Sequence, residues 1–242
     1  MEVIKDSYKL YQGDCLDVML NIKASSVDLI VTDPPYLMDY QSNRRRKDDR
    51  FDKIKNDSDN YPLIQKYFKE CHRIMKDNTA IYCFCSWHNI DFFKREFEKY
   101  FKLKNIIVWN KNNHGTGDLK GSYAPRHEFI LFGHKGRTLL REKRISDVID
   151  CAKIPSKQLT HPTEKPQELL EIFIKQSSDE ESIVFDGFMG TGSCGIVAKR
   201  LNRKFIGIEL DSTYFNIACE RLENIVPEQK KYKISNKQKT LF

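Results

Sequence analysis

Asp33-Pro34-Pro35-Tyr36 directly follows the apolar run of residues 27–32, and these four residue types can do chemistry together. The carboxyl end of a strand is where an open α/β sheet presents ligands. Two prolines fix φ over successive residues, and Pro35 keeps Pro34 out of the helical region, so the turn is rigid and its carbonyls have set directions. A carboxylate, a rigid carbonyl and an aromatic ring then line one pocket. That set suits a planar substrate with an exocyclic NH2: Asp33 and the Pro34 carbonyl each accept one N–H while Tyr36 stacks on the face. An extruded nucleobase has this chemistry. A strand-terminating turn is the plainer reading of the same tetrad.

A second chemical segment lies far down the chain. Residues 182–186 read as a strand, Gly187-Phe188-Met189-Gly190-Thr191-Gly192 as a glycine-rich turn, and the residues from Ser193 as a helix. Gly190 to Gly195 has the spacing of a dinucleotide fingerprint, with Glu209 close to where a carboxylate would meet ribose hydroxyls, and taken alone it favours an NAD-type cofactor. The spacing is offset, because residues 186–189 separate the strand from Gly190, so the turn begins earlier. An acid at the strand end, Asp186, also sits badly beside a pyrophosphate and well beside a cation bearing an ammonium and a sulfonium. S-adenosylmethionine is such a cation.

The elements that position these segments alternate. Strands are expected at residues 8–12, 27–32, 79–85, 104–110, 127–133, 182–186 and 204–210. Helices are expected from Tyr61-Pro62 to Asp77-Asn78, around Ile90, Phe93, Phe97 and Phe101, after Pro166 through Ile174, and over residues 193–201 and 213–222. The connection between 104–110 and 127–133 is a Gly- and Asn-rich loop, which makes those two strands antiparallel neighbours. The rest is βαβ.

At 242 residues, 40% hydrophobic and 31% charged, the chain reads as one globular domain. It carries inserted loops at about 40–60 and 134–158 and a flexible, basic tail at about 227–242. No stretch reaches the roughly 20 apolar residues of a membrane span, and residues 1–6 do not open a signal segment, so the cytoplasm is the expected location. Seven cysteines without paired CxxC spacing indicate neither a disulfide framework nor a zinc site, and no metal is expected. A net charge of +7 favours polyanionic partners.

Taken in order, the tetrad, the run from Asp186 to Ser193 and Gly207-Ile208-Glu209-Leu210-Asp211 resemble the amino-group DNA methyltransferases. With the tetrad near the amino end and the glycine turn near the carboxyl end, the chain resembles their circularly permuted beta class. Residues 10–16 and 161–166 have counterparts there too, and the resemblance covers nearly all of the chain outside 40–60 and about 134–158. It implies an α/β, Rossmann-like S-adenosylmethionine-dependent methyltransferase fold, circularly permuted, with a seven-stranded, mostly parallel sheet containing an antiparallel strand.

The implied activity is site-specific methylation of adenine N6 in DNA, by base flipping and direct attack. Cytosine N4 is the alternative, because Asp at the first tetrad position is commoner for adenine and Ser for cytosine. Asp33, Pro34, Pro35 and Tyr36 would be catalytic. Glu209 would bind the ribose hydroxyls, Asp14 and Cys15 the adenine end, and Asp186, Phe188, Gly190, Thr163 and Lys165 the methionine end of the cofactor, with Asp33, Gly187, Gly192 and Ser193 also lining it. Asp14 as a turn cap and Cys15 as a buried thiol are the plainer readings.

Two residues depart from the family pattern: Gly187 stands where proline is usual, implying a looser turn and weaker cofactor binding, and Ser193 stands where threonine is usual. For DNA contact, Arg44, Arg45, Arg46 and Lys47 follow the tetrad and would meet phosphates, unless they form a charged loop balanced by Asp48, Asp49 and Asp52. Lys111, Asn112, Asn113 and His114, and the inserted segment at about 134–158, are further candidates for DNA contact, since Asn can read adenine bidentately. Double-stranded DNA is the expected partner, with a homodimer and a cognate restriction endonuclease as further partners of a bacterial or phage-encoded, nucleoid-associated enzyme. RNA or a free nucleotide, a catalytically silent DNA-binding module, and an NAD-dependent oxidoreductase are the rival readings.

Overall fold

The structure, a computed structural model, describes residues 1–37, 60–114, 120–155 and 164–228. Along the chain run β1 (Glu2–Ile4), β2 (Tyr8–Gln12), α1 (Cys15–Met19), β3 (Val27–Thr32), α2 (Tyr61–Ile74), β4 (Met75–Cys85), α3 (Ile90–Glu98) and β5 (Lys102–Asn110). They are followed by β6 (His127–Lys135), β7 (Val148–Asp150), α4 (Gln167–Ser177), β8 (Ile183–Asp186), α5 (Ser193–Arg200), β9 (Lys204–Glu209) and α6 (Ser212–Glu223).

One sheet holds all of these strands in the order β1-β2-β9-β8-β3-β4-β6-β5-β7. The expected seven strands form its body, and the three-residue strands β1 and β7 add an edge on each side, too short for any periodicity to reveal. Within that body β6 is the antiparallel strand, running against both β4 and β5, and the short edge strand β1 runs against β2. The neighbours β2, β9, β8, β3 and β4 are parallel, and β3 reads as a near-continuous apolar run because both of its faces are covered. Helices α4, α5 and α6 close one face, while α2 and α3 close the other through Phe68, Phe93, Phe97 and Phe101 in edge-to-face and tilted ring contacts.

β3 and β8 are far apart in sequence yet pair directly, Leu29 with Val184 and Ile30 with Phe185. Their parallel carboxyl ends, which carry the tetrad and the glycine turn, therefore open at the same edge of the sheet.

Two expectations need adjustment. The helix before β4 ends at Ile74, and Asp77-Asn78 lies inside the strand, not at the helix end. There the pairing jumps from Val27–Met75 to Leu29–Ala80, and Asn78 takes φ +61°, a conformation asparagine tolerates, so the turn signal produced a bulge. Of the segment 134–158, Lys135 ends β6, residues 148–150 form β7, and Arg137 and Arg141 bond to Asn78, Gln176 and Asp179 at the edge opposite Asp33. All seven cysteines are free thiols. Among the described residues no helix is long and apolar enough to cross a membrane, and no cluster of metal-ligating side chains occurs.

Candidate active site

Thr32 ends β3, and the tetrad leaves the sheet there. Tyr36 Oη donates to Asp33 Oδ1 at 2.6 Å, and Lys165 Nζ donates to Asp33 Oδ2. A second carboxylate completes the cluster: Glu128 Oε2 lies 3.1 Å from Tyr36 Oη and 3.5 Å from Lys165 Nζ, while its Oε1 accepts from Lys111 Nζ. The Lys165 ammonium also stands over the rings of Phe84 and Tyr36, at 5.0 and 5.6 Å from their centroids. Two carboxylates and two ammonium groups thus balance in one largely buried cluster.

Their protonation differs by position. Burial pushes the Asp33 carboxyl above its ordinary range, Lys165 pulls it back, and Glu128 adds to the rise. Burial acts on Glu128 in the same direction, but Lys165 and Lys111 outweigh it and hold this carboxyl below the usual range. For Lys165, desolvation is overcome by Asp33 and Glu128, and the ammonium is held more firmly than usual. Burial, with Asp33 beside it, keeps Tyr36 a neutral phenol and therefore a donor.

The tetrad is braced from β4's side. Asn89 occupies the N-cap position of α3, yet its side chain makes no cap. Instead Nδ2 donates to the carbonyls of Tyr36 at 2.8 Å and Leu37 at 3.3 Å. Leu37 sits at φ +59°, a costly conformation for a leucine, held at the end of the functional turn.

On the neighbouring strands, Asp186 ends β8 and Glu209 ends β9. Asp186 Oδ1 accepts the Phe188 N–H at 3.0 Å; Glu209 Oε2 accepts from Gly190 N at 2.9 Å and Oε1 from Asp211 N at 2.8 Å. These acids shape the glycine turn. Gly192 takes φ +82° as the N-cap of α5, which only glycine adopts readily, and no side chain covers the helix's first N–H groups among the described residues. Burial lifts Asp186 to about 7 despite the Phe188 N–H, with Asp33 adding to the rise, and burial also raises Glu209.

Gly187 touches Tyr67: a Cβ there would lie 2.6 Å from the phenol, whose Oη bonds Thr32 Oγ1 at 2.7 Å. The turn lacks proline, and an aromatic brace from α2 fills the space. Ser193 keeps its hydroxyl in use, donating to Glu164 Oε1 at 2.9 Å. Arg221 holds the same oxygen at 2.8 Å and Thr191 Oγ1 at 2.7 Å. Glu164 thus anchors on the glycine turn while the next residue, Lys165, reaches Asp33.

The structure brings Asp33, Pro34, Pro35, Tyr36, Lys165, Asp186, Gly187, Phe188, Gly190, Gly192, Ser193 and Glu209 to one sheet edge. Lys165, expected at the cofactor's methionine end, has its ammonium on Asp33. Asp14 caps α1 by accepting from Leu16 N at 2.8 Å, and Cys15 is buried, with burial pushing its thiol far up. Lys111 is turned inward to Glu128, whereas Asn112, Asn113 and His114 are exposed beyond β5. Thr163, Arg44, Arg45, Arg46 and Lys47 lie outside the described residues. Sequence reasoning passed over Glu128, Tyr67, Asn89 and Arg221, and placed Glu164 only within the segment 163–166 expected at the cofactor's methionine end. An acid opening an otherwise apolar strand, at His127-Glu128-Phe129, was the one local signal for Glu128.

The model of the DNA methylase family, N6/N4 class, matches residues 27–220. The Type II methyltransferase M.HinfI of Haemophilus influenzae is 30% identical over 249 residues, spanning 90% of this chain and 69% of that protein. M2.DpnII of Streptococcus pneumoniae is 30% identical over 244 residues, spanning 90% and 91%. Among solved structures, the M1.HpyAVI–SAM complex aligns with a TM-score of 0.68 at 26% identity, covering 89% of this chain and 99% of that one. The cytosine-N4-specific PvuII DNA methyltransferase aligns at 0.73 with 17% identity over 92% and 89%, a likeness of fold. A tetrad and a glycine turn at one sheet edge, and a family match across most of the length, lead to one conclusion: the chain belongs to the DNA methylase family of amino-group DNA methyltransferases.

Proposed function

We propose that the chain methylates the N6 amino group of an adenine extruded from double-stranded DNA, with S-adenosylmethionine as methyl donor. The observation that carries the reading is the direct parallel pairing of β3 with β8, which sets Asp33 beside the turn that begins at Asp186. The cofactor fits the residues present. Asp33, Asp186 and Glu209 are three carboxyl groups whose pKa values burial raises, the mark of negative charge that a cationic ligand would relieve. When bound, S-adenosylmethionine supplies a methyl group on a good leaving group, a sulfonium.

The chain's own residues do the rest. An exocyclic amino nitrogen is a poor nucleophile because its lone pair is delocalised into the ring. Asp33 and the Pro34 carbonyl, each accepting one N–H, draw it toward tetrahedral geometry and stabilise the positive charge that develops. Tyr36 supplies the ring against which the base rests, and extrusion is required because the amino group is unreachable in the stack. Asp186, Gly187, Phe188, Gly190, Gly192, Ser193 and Glu209 hold the cofactor, with Asp14 and Cys15 at its adenine end. Asn112, Asn113 and His114, with Arg44, Arg45, Arg46 and Lys47, contact DNA. A second copy of the chain and a cognate endonuclease are its proposed partners, and the cytoplasm its proposed location.

The test incubates the protein with S-adenosylmethionine and unmodified plasmid, digests to nucleosides and identifies the product by mass spectrometry. N6-methyladenine supports the reading. N4-methylcytosine would move it to the other amine, and no methylated nucleoside, with an Asp33→Ala control equally silent, would overturn it.

A further inference from the structure

Both oxygens of Asp33 are taken, one by the Tyr36 hydroxyl and one by the Lys165 ammonium. If Asp33 receives the amino group of a base, these two donors must tolerate a competitor, and a buried phenol or ammonium deprived of its acceptor is costly. A single atom answers for both. Glu128 Oε2 stands 3.1 Å from Tyr36 Oη and 3.5 Å from Lys165 Nζ, within a small movement of either. Its sister oxygen is held by Lys111, whose ammonium is in turn steadied over the Trp109 ring at 5.0 Å, so the carboxylate is fixed in place with Oε2 facing the tetrad.

We propose that Glu128 is the receiving acceptor of the site: as the amino group of the base engages Asp33, the Tyr36 hydroxyl and the Lys165 ammonium pass to Glu128 Oε2. Only hydrogen bonds move; no proton changes owner. Asp33 is thereby released to the substrate without stranding a buried donor, and Lys165 keeps a counter-ion throughout. The opposite displacements of the two carboxyls agree with this division, since Glu128, kept ionised by Lys165 and Lys111, is always ready to accept. Glu128 is a positioning residue, acting on the amino group through Tyr36, Lys165 and Asp33, and the proposal rests on the reading of Asp33 as the amino acceptor.

The experiment is a mutant cycle in single-turnover methyl transfer to DNA. Glu128→Gln leaves one acceptor oxygen for three contending donors and should slow transfer roughly ten- to hundred-fold. Cofactor affinity and melting temperature should hold, whereas a strut that merely ties β6 to β5 would lower them together. Extrusion should also hold, read by the fluorescence of 2-aminopurine at the mapped target position, because that base lacks the 6-amino group that displaces the donors.

The decisive arm is Tyr36→Phe. With the hydroxyl gone, fewer donors need rehousing, so the slowing caused by Glu128→Gln should shrink by about fivefold or more in that background. Additive losses overturn the proposal, as does a Glu128→Gln protein of parental rate. Should Glu128→Gln not fold, Glu128→Asp, which withdraws the carboxylate by one methylene, enters the same cycle with the same expectations. Asp33→Ala, which removes the acceptor altogether, separates the two readings: if it still transfers methyl, the assignment of Asp33 fails. If it is silent while the Glu128 and Tyr36 losses add, only the handover fails.

Discussion

Gly187 and Tyr67 share one space. A Cβ on Gly187 would meet the Tyr67 ring and hydroxyl at 2.6 Å, and Tyr67 is fully buried between α2 and the sheet, so it has nowhere to retreat. The tyrosine in turn bonds Thr32, the last residue before the tetrad, and packs on Phe188 at 4.8 Å between centroids. One side chain therefore touches both the strand end that leads into the tetrad and the glycine turn proposed to hold the cofactor.

Gly187→Ala should destabilise the protein by about 1–3 kcal/mol through overpacking and weaken cofactor binding with it. Tyr67→Leu in the same chain should recover part of the loss. Thermal unfolding and cofactor titration would check both, and an unimpaired Gly187→Ala would mean that the ring yields.

Asp186 should make cofactor binding depend on pH. Its carboxyl is raised from an ordinary 3.8 to about 7, so below neutrality the protein must shed a proton to present a charge to a cation. Affinity should fall as pH drops from about 7 toward 5, by up to tenfold per unit, as calorimetry would record. The stability effect has the opposite sign. The folded chain binds the proton more tightly than the unfolded one, so this group costs stability as pH rises from about 4 to about 7. Asp186→Asn should therefore melt higher than the parent at pH 8, by at least about 2 °C, with a smaller gain at pH 5, while losing cofactor affinity.

Asn89→Ser separates bracing from folding. Serine caps a helix about as well as asparagine, so α3 should keep its stability. The carbonyls of Tyr36 and Leu37 lose their donor, and transfer should slow about tenfold. A drop in melting temperature with kcat unchanged would reverse the assignment.

His134 should set part of the acid sensitivity. It is buried in β6 with neither ring nitrogen partnered among the described residues, and burial, with Lys104 and Lys102 beside it, lowers it from 6.5 to about 4. Above about 6.5 it is neutral in both states and contributes no pH dependence. Between about 6.5 and 4 only the unfolded chain takes up the proton, so stability falls as the medium is acidified. His134→Phe should flatten the melting-temperature profile across that interval, and an unchanged profile would place the sensitivity elsewhere.

What the sequence by itself determined is what local chemistry can encode. The tetrad's rigidity comes from adjacent prolines, the glycine turn's shape from Gly192 at positive φ, and the alternation of strands and helices from periods of two and 3.6 residues. The order of the blocks carried the family. Boundaries blurred where a local signal had two uses, as Asn78 shows by turning the chain within a strand instead of ending a helix.

The tertiary structure alone decided which charges meet. Lys165 and Asp33 are 132 residues apart and Glu128 and Tyr36 are 92 apart. Glu128 meets Tyr36 because the sheet sets β3, β4 and β6 side by side, and Lys165 meets Asp33 because Ser193 and Arg221 anchor the preceding Glu164 beside the end of β3. Periodicity reports which face of a strand is buried, but it carries no information on which strand lies next to it. Strand order follows from how the helices cover both faces of the whole sheet, so a glutamate at the start of an apolar strand acquires its partners only when the fold closes.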